Sequence, residues 1–271
     1  MPDLARLAIN QITTKGWSLP DAIAGYARAG VRGIGIWPNA VHDFGVAATR
    51  KLIMRHDLVV SSYCCGSMFL ARDPADRIKQ KERNRILVEE AAGLGAQCLV
   101  CVAGGLPAGD TDLKAARNHT LDGLTELLPF ARAAGVLIGI EPIHPMRAAD
   151  VSCITTLGEA NTLCDALGLG TGIVVDVYHV WWDPNIEREL ERASGRIAGF
   201  HLSDWLRSWD DNCIGRGMMG DGVINIASIR RAADRAGYNG LHEVEIVSRL
   251  WGQRNPVEVT DKCIERYRSH C

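Results

Sequence analysis

Eight short apolar runs, each followed by a longer amphipathic segment, divide this chain from end to end. The runs are 5–12 (ARLAINQI), 32–37 (RGIGIW), 58–64 (LVVSSYC), 97–103 (QCLVCVA), 136–141 (VLIGIE), 172–177 (GIVVDV), 196–202 (RIAGFHL) and 240–247 (GLHEVEIV). Helices are expected over 18–29, 42–55, 74–94, 112–134, 156–167, 184–194, 225–236 and 255–268. Ser18-Leu-Pro-Asp21 and Asp73-Pro74 supply N-caps with proline in the first turn, and Gly30, Gly95, Gly135, Gly168 and Gly237 each follow an amphipathic segment as a stop. Strands that are apolar on both faces and alternate with helices imply a parallel sheet. Eight such units imply closure into a (β/α)8 TIM barrel, an α/β fold in one domain over 1–271. An open doubly wound sheet fits less well. The turn after the first strand lacks a glycine-rich phosphate loop, and Gly33 and Gly35 lie within a strand instead of opening a helix.

The 271 residues carry a net charge of −2 with no Lys/Arg run, so no polyanion-binding surface and no nucleic-acid partner are expected. No segment reaches the roughly 18 consecutive apolar residues of a membrane span, and MPDLARLAIN does not read as a signal peptide. The expected compartment is cytoplasmic, with no membrane partner. Nine cysteines lie mostly inside apolar runs. Cys98-x-x-Cys101 invites a redox or zinc reading, but residues three apart on a strand point to opposite faces, as do the adjacent Cys64 and Cys65. They are expected to be small core residues in a reducing compartment.

Four of the later runs end on a charge or an imidazole: Glu141 in LIGIEPIHP, Asp176 in GIVVDVYHVWWD, His201 in IAGFHLSDW and Glu245 in LHEVEIVS. A charge at the end of a buried strand is costly unless paired or metal-bound. In a parallel barrel these ends converge on one mouth. Three carboxylates and one imidazole suit Mn²⁺, with Mg²⁺, Co²⁺ or Zn²⁺ as alternatives. Small residues share the faces of two of these positions, Gly139 below Glu141 and Gly199 below His201, leaving room at the mouth. Glu243 shares the face of Glu245, roughly 6.6 Å deeper along the strand. It is expected to support the site or to form an ion pair there, with Glu245 as the ligand.

With these residues in place, the chain resembles the xylose-isomerase-like barrel family, sugar phosphate isomerases and epimerases that include ketose 3-epimerases, hydroxypyruvate isomerase and inositol-pathway enzymes. The family pattern places Glu at strand 5, Asp-x-x-His at strand 6, His at strand 7 and Glu at strand 8. These correspond here to Glu141, Asp176 with His179, His201 and Glu245. In ketose epimerases an Arg six residues after the strand-7 His contacts substrate, and Arg207 stands at that spacing. GRGMMGDGVIN resembles the family's glycine-rich approach to its seventh helix. The resemblance implies a small sugar or keto-sugar substrate; oligomeric state is left open, a homo-oligomer being one expectation.

The expected reaction is isomerisation or epimerisation of a ketose or keto-cyclitol. A divalent ion holding a ketone oxygen and a neighbouring hydroxyl acidifies the carbon-bound proton between them and stabilises the enediolate. Glu141 and Glu245 would exchange that proton on opposite faces, and His179 would bind a hydroxyl. His144 either binds substrate likewise or caps the helix that follows. Trp37, Trp181, Trp182 and Trp205 follow strands 2, 6 and 7 on one rim, where one or two would pack a sugar's C–H face and the others hold loops together. Asp183 and Asp204 are expected to cap loops. Arg207 and Arg216 could bind a phosphate if the substrate has one. With a leaving group β to the acidified carbon, the same site would make a dehydratase, or a lyase acting on a 3-keto-glycoside. A barrel endonuclease acting at abasic DNA is a further reading, but it calls for a His-rich trinuclear zinc site and a basic surface. This chain has eight His and a slight acidic excess.

Overall fold

A computed structural model describes residues 2–66, 69–71, 73–207 and 215–271, excluding the side chains of 65, 66 and 74. Its strands are β1 Leu7–Asn10, β2 Gly33–Ile36, β3 Val59–Gly66, β4 Leu99–Cys101, β5 Ile138–Ile140, β6 Thr171–Asp176, β7 Ile197–Leu202 and β8 His242–Val244. Each pairs in parallel with its sequence neighbour, and β1 pairs with β8 to close the barrel. The helices are α1 Leu19–Arg28, α2 Pro38–Phe44, α3 Val46–Arg55, α4 Pro74–Leu94, α5 Leu113–Ala133, α6 Leu157–Leu167, α7 Val177–Val180, α8 Ile186–Arg192, α9 Ile226–Arg235, α10 Arg249–Gly252 and α11 Pro256–His270. The doubly wound sheet is thereby excluded. Among the described residues, no helix is long and apolar enough to cross a membrane.

The caps read from sequence are present. The Ser18 and Asp73 side chains accept from the Asp21 and Ala75 amides, and Gly95 ends α4 in the left-handed conformation. The helix expected over 42–55 is two helices. Trp37-Pro38 starts α2 early, and Gly45 at φ +91° breaks the path before α3. Proline preset for a first turn and glycine free of a Cβ explain both ends.

The main core lies between barrel and helices. A smaller cluster of Cys64, Cys98, Val100 and Val174, with Trp37, Leu137 and Ala198 against it, lies within the barrel. Cys98 belongs to this inner cluster and Cys101 to the outer core, on opposite faces of the same strand. Burial pushes the Cys98 thiol above its ordinary pKa, with Glu243 and Glu141 adding to the effect. The pair is therefore core packing. The Cys65 side chain lies outside the described residues.

Candidate active site at the barrel mouth

Strands β5 and β8 stop one residue short of Glu141 and Glu245, while Asp176 is the last residue of β6 and His201 lies within β7. All four side chains are buried: Asp176 is 0% exposed, His201 1%, Glu245 5% and Glu141 6%. Ligand atoms of Glu141, Asp176 and His201 lie within 4.8 Å of one another. His201 Nδ1 is 3.2 Å from Glu141 Oε1 and 3.8 Å from Glu245 Oε2. Neither ring nitrogen of His201 nor Glu141 Oε1 makes a hydrogen bond, although all three atoms are buried. Buried polar atoms left without partners are costly. A divalent cation bound by Glu141, His201 and Asp176, with Glu245 alongside, would satisfy Glu141 Oε1 and the His201 Nδ1 that faces it, and the donor set suits such an ion.

Asp176 divides its two oxygens. Oδ1 accepts from the Tyr178 amide at 2.9 Å, capping α7, and Oδ2 accepts from Arg216 Nη1 at 2.8 Å. Arg216 Nη1 also reaches Glu245 Oε2 at 3.1 Å and the Glu245 carbonyl at 3.2 Å, while Nη2 donates to His179 Nε2 at 3.1 Å. Its guanidinium carbon lies 4.7 Å from the Tyr178 ring centroid. Burial alone would raise the Asp176 pKa, but Arg216, His179 and His201 hold it below the ordinary value. Burial raises Glu245 to about 7, with Arg216 and His201 opposing the rise and Glu141 and Asp176 adding to it. For His201, burial disfavours the charge but Glu243, Glu141 and Glu245 prevail, raising it to about 10. Burial lowers His179 to about 3, so its ring is neutral. Because Arg216 can only donate, Nε2 of His179 accepts and Nδ1 carries the hydrogen. That Nδ1 is buried and has no partner.

A second layer lies below. Glu243 Oε1 accepts from Asn10 Nδ2 at 2.7 Å and Ser62 Oγ at 2.9 Å. Its Oε2 accepts from Ser61 Oγ at 2.6 Å and Ser62 Oγ at 2.7 Å. Asn10 Nδ2 also approaches Glu245 Oε1 at 3.3 Å, so one amide links both carboxylates of β8. Donation to Asn10 Oδ1 from Trp37 Nε1 at 2.9 Å and the Ile12 amide at 3.1 Å fixes which way the amide faces. Gly35 makes space for this layer, since a Cβ there would fall 2.1 Å from Glu243 Oε1 and 2.8 Å from Asn10 Nδ2. Gly35→Ala is therefore expected to destabilise the barrel by about 1–3 kcal/mol, as overpacking does. Thermal unfolding checks this, and an unchanged Tm would contradict it.

The rim residues divide. Trp205 stacks on His144 at 4.7 Å between ring centroids, lies 4.8 Å from Tyr178 and 5.9 Å from Trp181, and His144 meets Trp182 edge-on at 5.7 Å. This cluster packs loops against one another, and Trp182 Nε1 is used by the His179 carbonyl. His144 Nδ1 accepts from the Met146 amide at 3.3 Å, the capping contact. Trp37 stands apart, tied to Asn10. Arg207 is exposed, whereas Arg216 is 7% exposed and bonded to Asp176, Glu245 and His179. The six-residue spacing after His201 thus leads to an exposed guanidinium, and the site's buried arginine arrives nine residues later along the chain. Asp204 accepts from the amides of Trp205, Gly220, Gly222 and Ile224, pinning the RGMMGDG loop that delivers Arg216. Asp183 accepts from the Asn185 amide. Asn10 and Arg216 are the residues that strand-end reasoning alone does not reach.

The sequence matches the family model described as xylose isomerase-like TIM barrel over residues 23–270. The chain belongs to this family. Protein SMc04130 from Sinorhizobium meliloti 1021 is 42% identical in a solved structure, with a TM-score of 0.97 and 99% of each chain covered. The fold is also that of the zinc-bound IolI protein (20% identity, TM-score 0.84, 97% and 96% covered). It is shared by D-allulose 3-epimerase from Methylomonas sp. (22% identity, TM-score 0.78, 100% and 99% covered). No curated protein matches the sequence at a significant level.

Proposed function

We propose that this xylose isomerase-like barrel is a divalent-metal-dependent isomerase or epimerase acting on a ketose or keto-cyclitol. The observation that carries the reading is the pair of buried carboxylates, Glu141 and Glu245, flanking Nδ1 of His201 at 3.2 and 3.8 Å. Membership of a family whose fold is shared by a D-allulose 3-epimerase supports it. Glu141, Asp176, His201 and Glu245 would hold the ion, Mn²⁺ being the best fit to three carboxylates and an imidazole. When bound, the ion supplies Lewis acidity to a neighbouring ketone. The protein's own groups do the rest. Glu245, a buried carboxylate beside His201, is suited to exchange a proton with substrate carbon. Glu141, across His201, is placed to exchange one on the other face. His179 offers its unpartnered Nδ1 hydrogen to a substrate hydroxyl, and Arg216 keeps that hydrogen on Nδ1 by occupying Nε2.

A substrate with a leaving group β to the reacting carbon would be eliminated by the same groups, so product identity separates epimerase from lyase. For the ion itself, Asp176→Asn is expected to release metal while the barrel stays folded, because a lost ligand lowers affinity strongly. Elemental analysis of the purified variant checks this, and full occupancy would remove Asp176 from the ligand set.

A further inference from the structure

The barrel interior holds a second cluster of ligand atoms beneath the mouth. Cys64, His201 and Glu243 present a sulfur, a ring nitrogen and a carboxylate oxygen within 4.8 Å of one another, and all three residues are buried. His201 takes part in both clusters through different nitrogens. Its Nδ1 faces Glu141 and Glu245, while its Nε2 lies 3.8 Å from Glu243 Oε1. That gap exceeds a hydrogen bond of about 2.7–3.2 Å. Two ligands sharing one tetrahedral ion at bond lengths of about 2.0–2.2 Å stand roughly 3.4 Å apart, closer to the observed spacing. Cys64 Sγ donates to the same oxygen at 3.7 Å, a long thiol contact whose spacing also matches the roughly 3.6 Å between a thiolate and a carboxylate on one zinc-like ion. The sulfur also has the Asn10 Nδ2 donor at 3.0 Å, while Ser62 Oγ at 3.0 Å, its own hydrogen directed at Glu243, can accept from the thiol. His201 Nε2 is buried with no hydrogen-bond partner.

We propose that Cys64 Sγ, His201 Nε2 and Glu243 form a deep site for a soft divalent ion such as Cd²⁺ or Zn²⁺, used in alternation with the mouth. On binding, the Cys64 proton leaves to solvent, and thiolate plus carboxylate balance the two charges of the ion. Thiolate ligation gives the site its preference for soft metals over Mn²⁺ or Mg²⁺. Alternation follows from the imidazole, because a neutral ring has a single lone pair for metal and keeps its hydrogen on the other nitrogen. An ion below places that hydrogen on Nδ1, directed at Glu141. An ion at the mouth places it on Nε2, directed at Glu243. Soft metal below therefore withdraws a ligand from the mouth. The deep site stands without the proposed function, whereas the alternation rests on it.

Metal-stripped full-length protein titrated with Cd²⁺ tests the site. The wild type is expected to develop the ultraviolet thiolate-to-cadmium charge-transfer band. Cys64→Ser, checked for an unchanged Tm, is expected to lose it, and Glu243→Gln to weaken Cd²⁺ binding at least tenfold. Prior loading with Mn²⁺ is expected to raise the apparent Kd for Cd²⁺. A band equally strong in Cys64→Ser, or Cd²⁺ bound without one, overturns the site. Cd²⁺ affinity unmoved by Mn²⁺ that is demonstrably bound overturns the alternation. Protein that takes Cd²⁺ with the band but takes no Mn²⁺ supports the deep site and counts against the function proposed for the mouth.

Discussion

Glu141→Gln is expected to reduce turnover by about 10²–10⁴, the range lost when a general acid or base is removed. An amide cannot take a proton from carbon, yet its carbonyl oxygen can still face a cation, so metal content should fall less than rate. Glu141 reaches its position because β5 ends at Ile140, leaving the carboxylate one residue beyond the sheet, buried and 3.2 Å from His201 Nδ1. Glu245→Gln is expected to show a loss of the same order, since each carboxylate serves one face of the reacting carbon. Comparing kcat/KM for the two variants with metal content measured alongside separates chemistry from binding. A fully metal-loaded Glu141→Gln enzyme with wild-type kcat/KM would remove Glu141 from the proton-transfer path.

Arg216→Met is expected to lower the stability of the metal-free protein by about 3–5 kcal/mol, the usual consequence of removing one partner from a buried ion pair. Asp176 is 0% exposed and relies on Arg216 at 2.8 Å, and Glu245 loses the same guanidinium at 3.1 Å. With Arg216 gone, Asp176 keeps the Tyr178 amide at 2.9 Å, with His179 Nε2 at 3.5 Å and His201 nearby. The expected change in Tm is on the order of 10 °C. Bound divalent metal should offset part of it, because the ion supplies positive charge to the same carboxylates. Thermal unfolding with and without Mn²⁺ checks both parts, and a metal-free variant as stable as the wild type would contradict the electrostatic account of Arg216.

Much of this arrangement was legible before any coordinates, for a physical reason. A charged residue closing an apolar run has few ways to be tolerated, so Glu141, Asp176, His201 and Glu245 stand out against β5 to β8. Asn10 does not, because an uncharged amide within LAINQI could equally face solvent; only the closure of β1 on β8 brings it to Glu243 and Glu245. Arg216, read from the sequence only as a group that could bind a phosphate, has its role at the carboxylates hidden for a different reason. It comes from a loop, where no periodicity fixes direction, and its approach depends on Asp204 gathering four backbone amides some 16–20 residues further along for three of them. The resemblance that singled out Arg207 as a substrate contact points to an exposed residue on the loop after β7 and does not extend to how that loop returns Arg216 to the site. The divided helix shows the same limit: the amphipathic pattern continues through Gly45, and its positive φ interrupts the backbone without interrupting the pattern.

The central claim is that two carboxylates exchange a proton with substrate carbon. Incubating Mn²⁺-loaded enzyme in D₂O with a panel of ketoses, keto-inositols and 3-keto-glycosides, each followed by NMR, tests it most directly. Glutamate carboxyls exchange with solvent, so substrate recovered before conversion is complete should carry deuterium at the carbon next to the carbonyl, and Glu141→Gln should suppress the labelling. Turnover of a substrate without deuterium uptake, as in a direct hydride shift between adjacent carbons, would contradict the account.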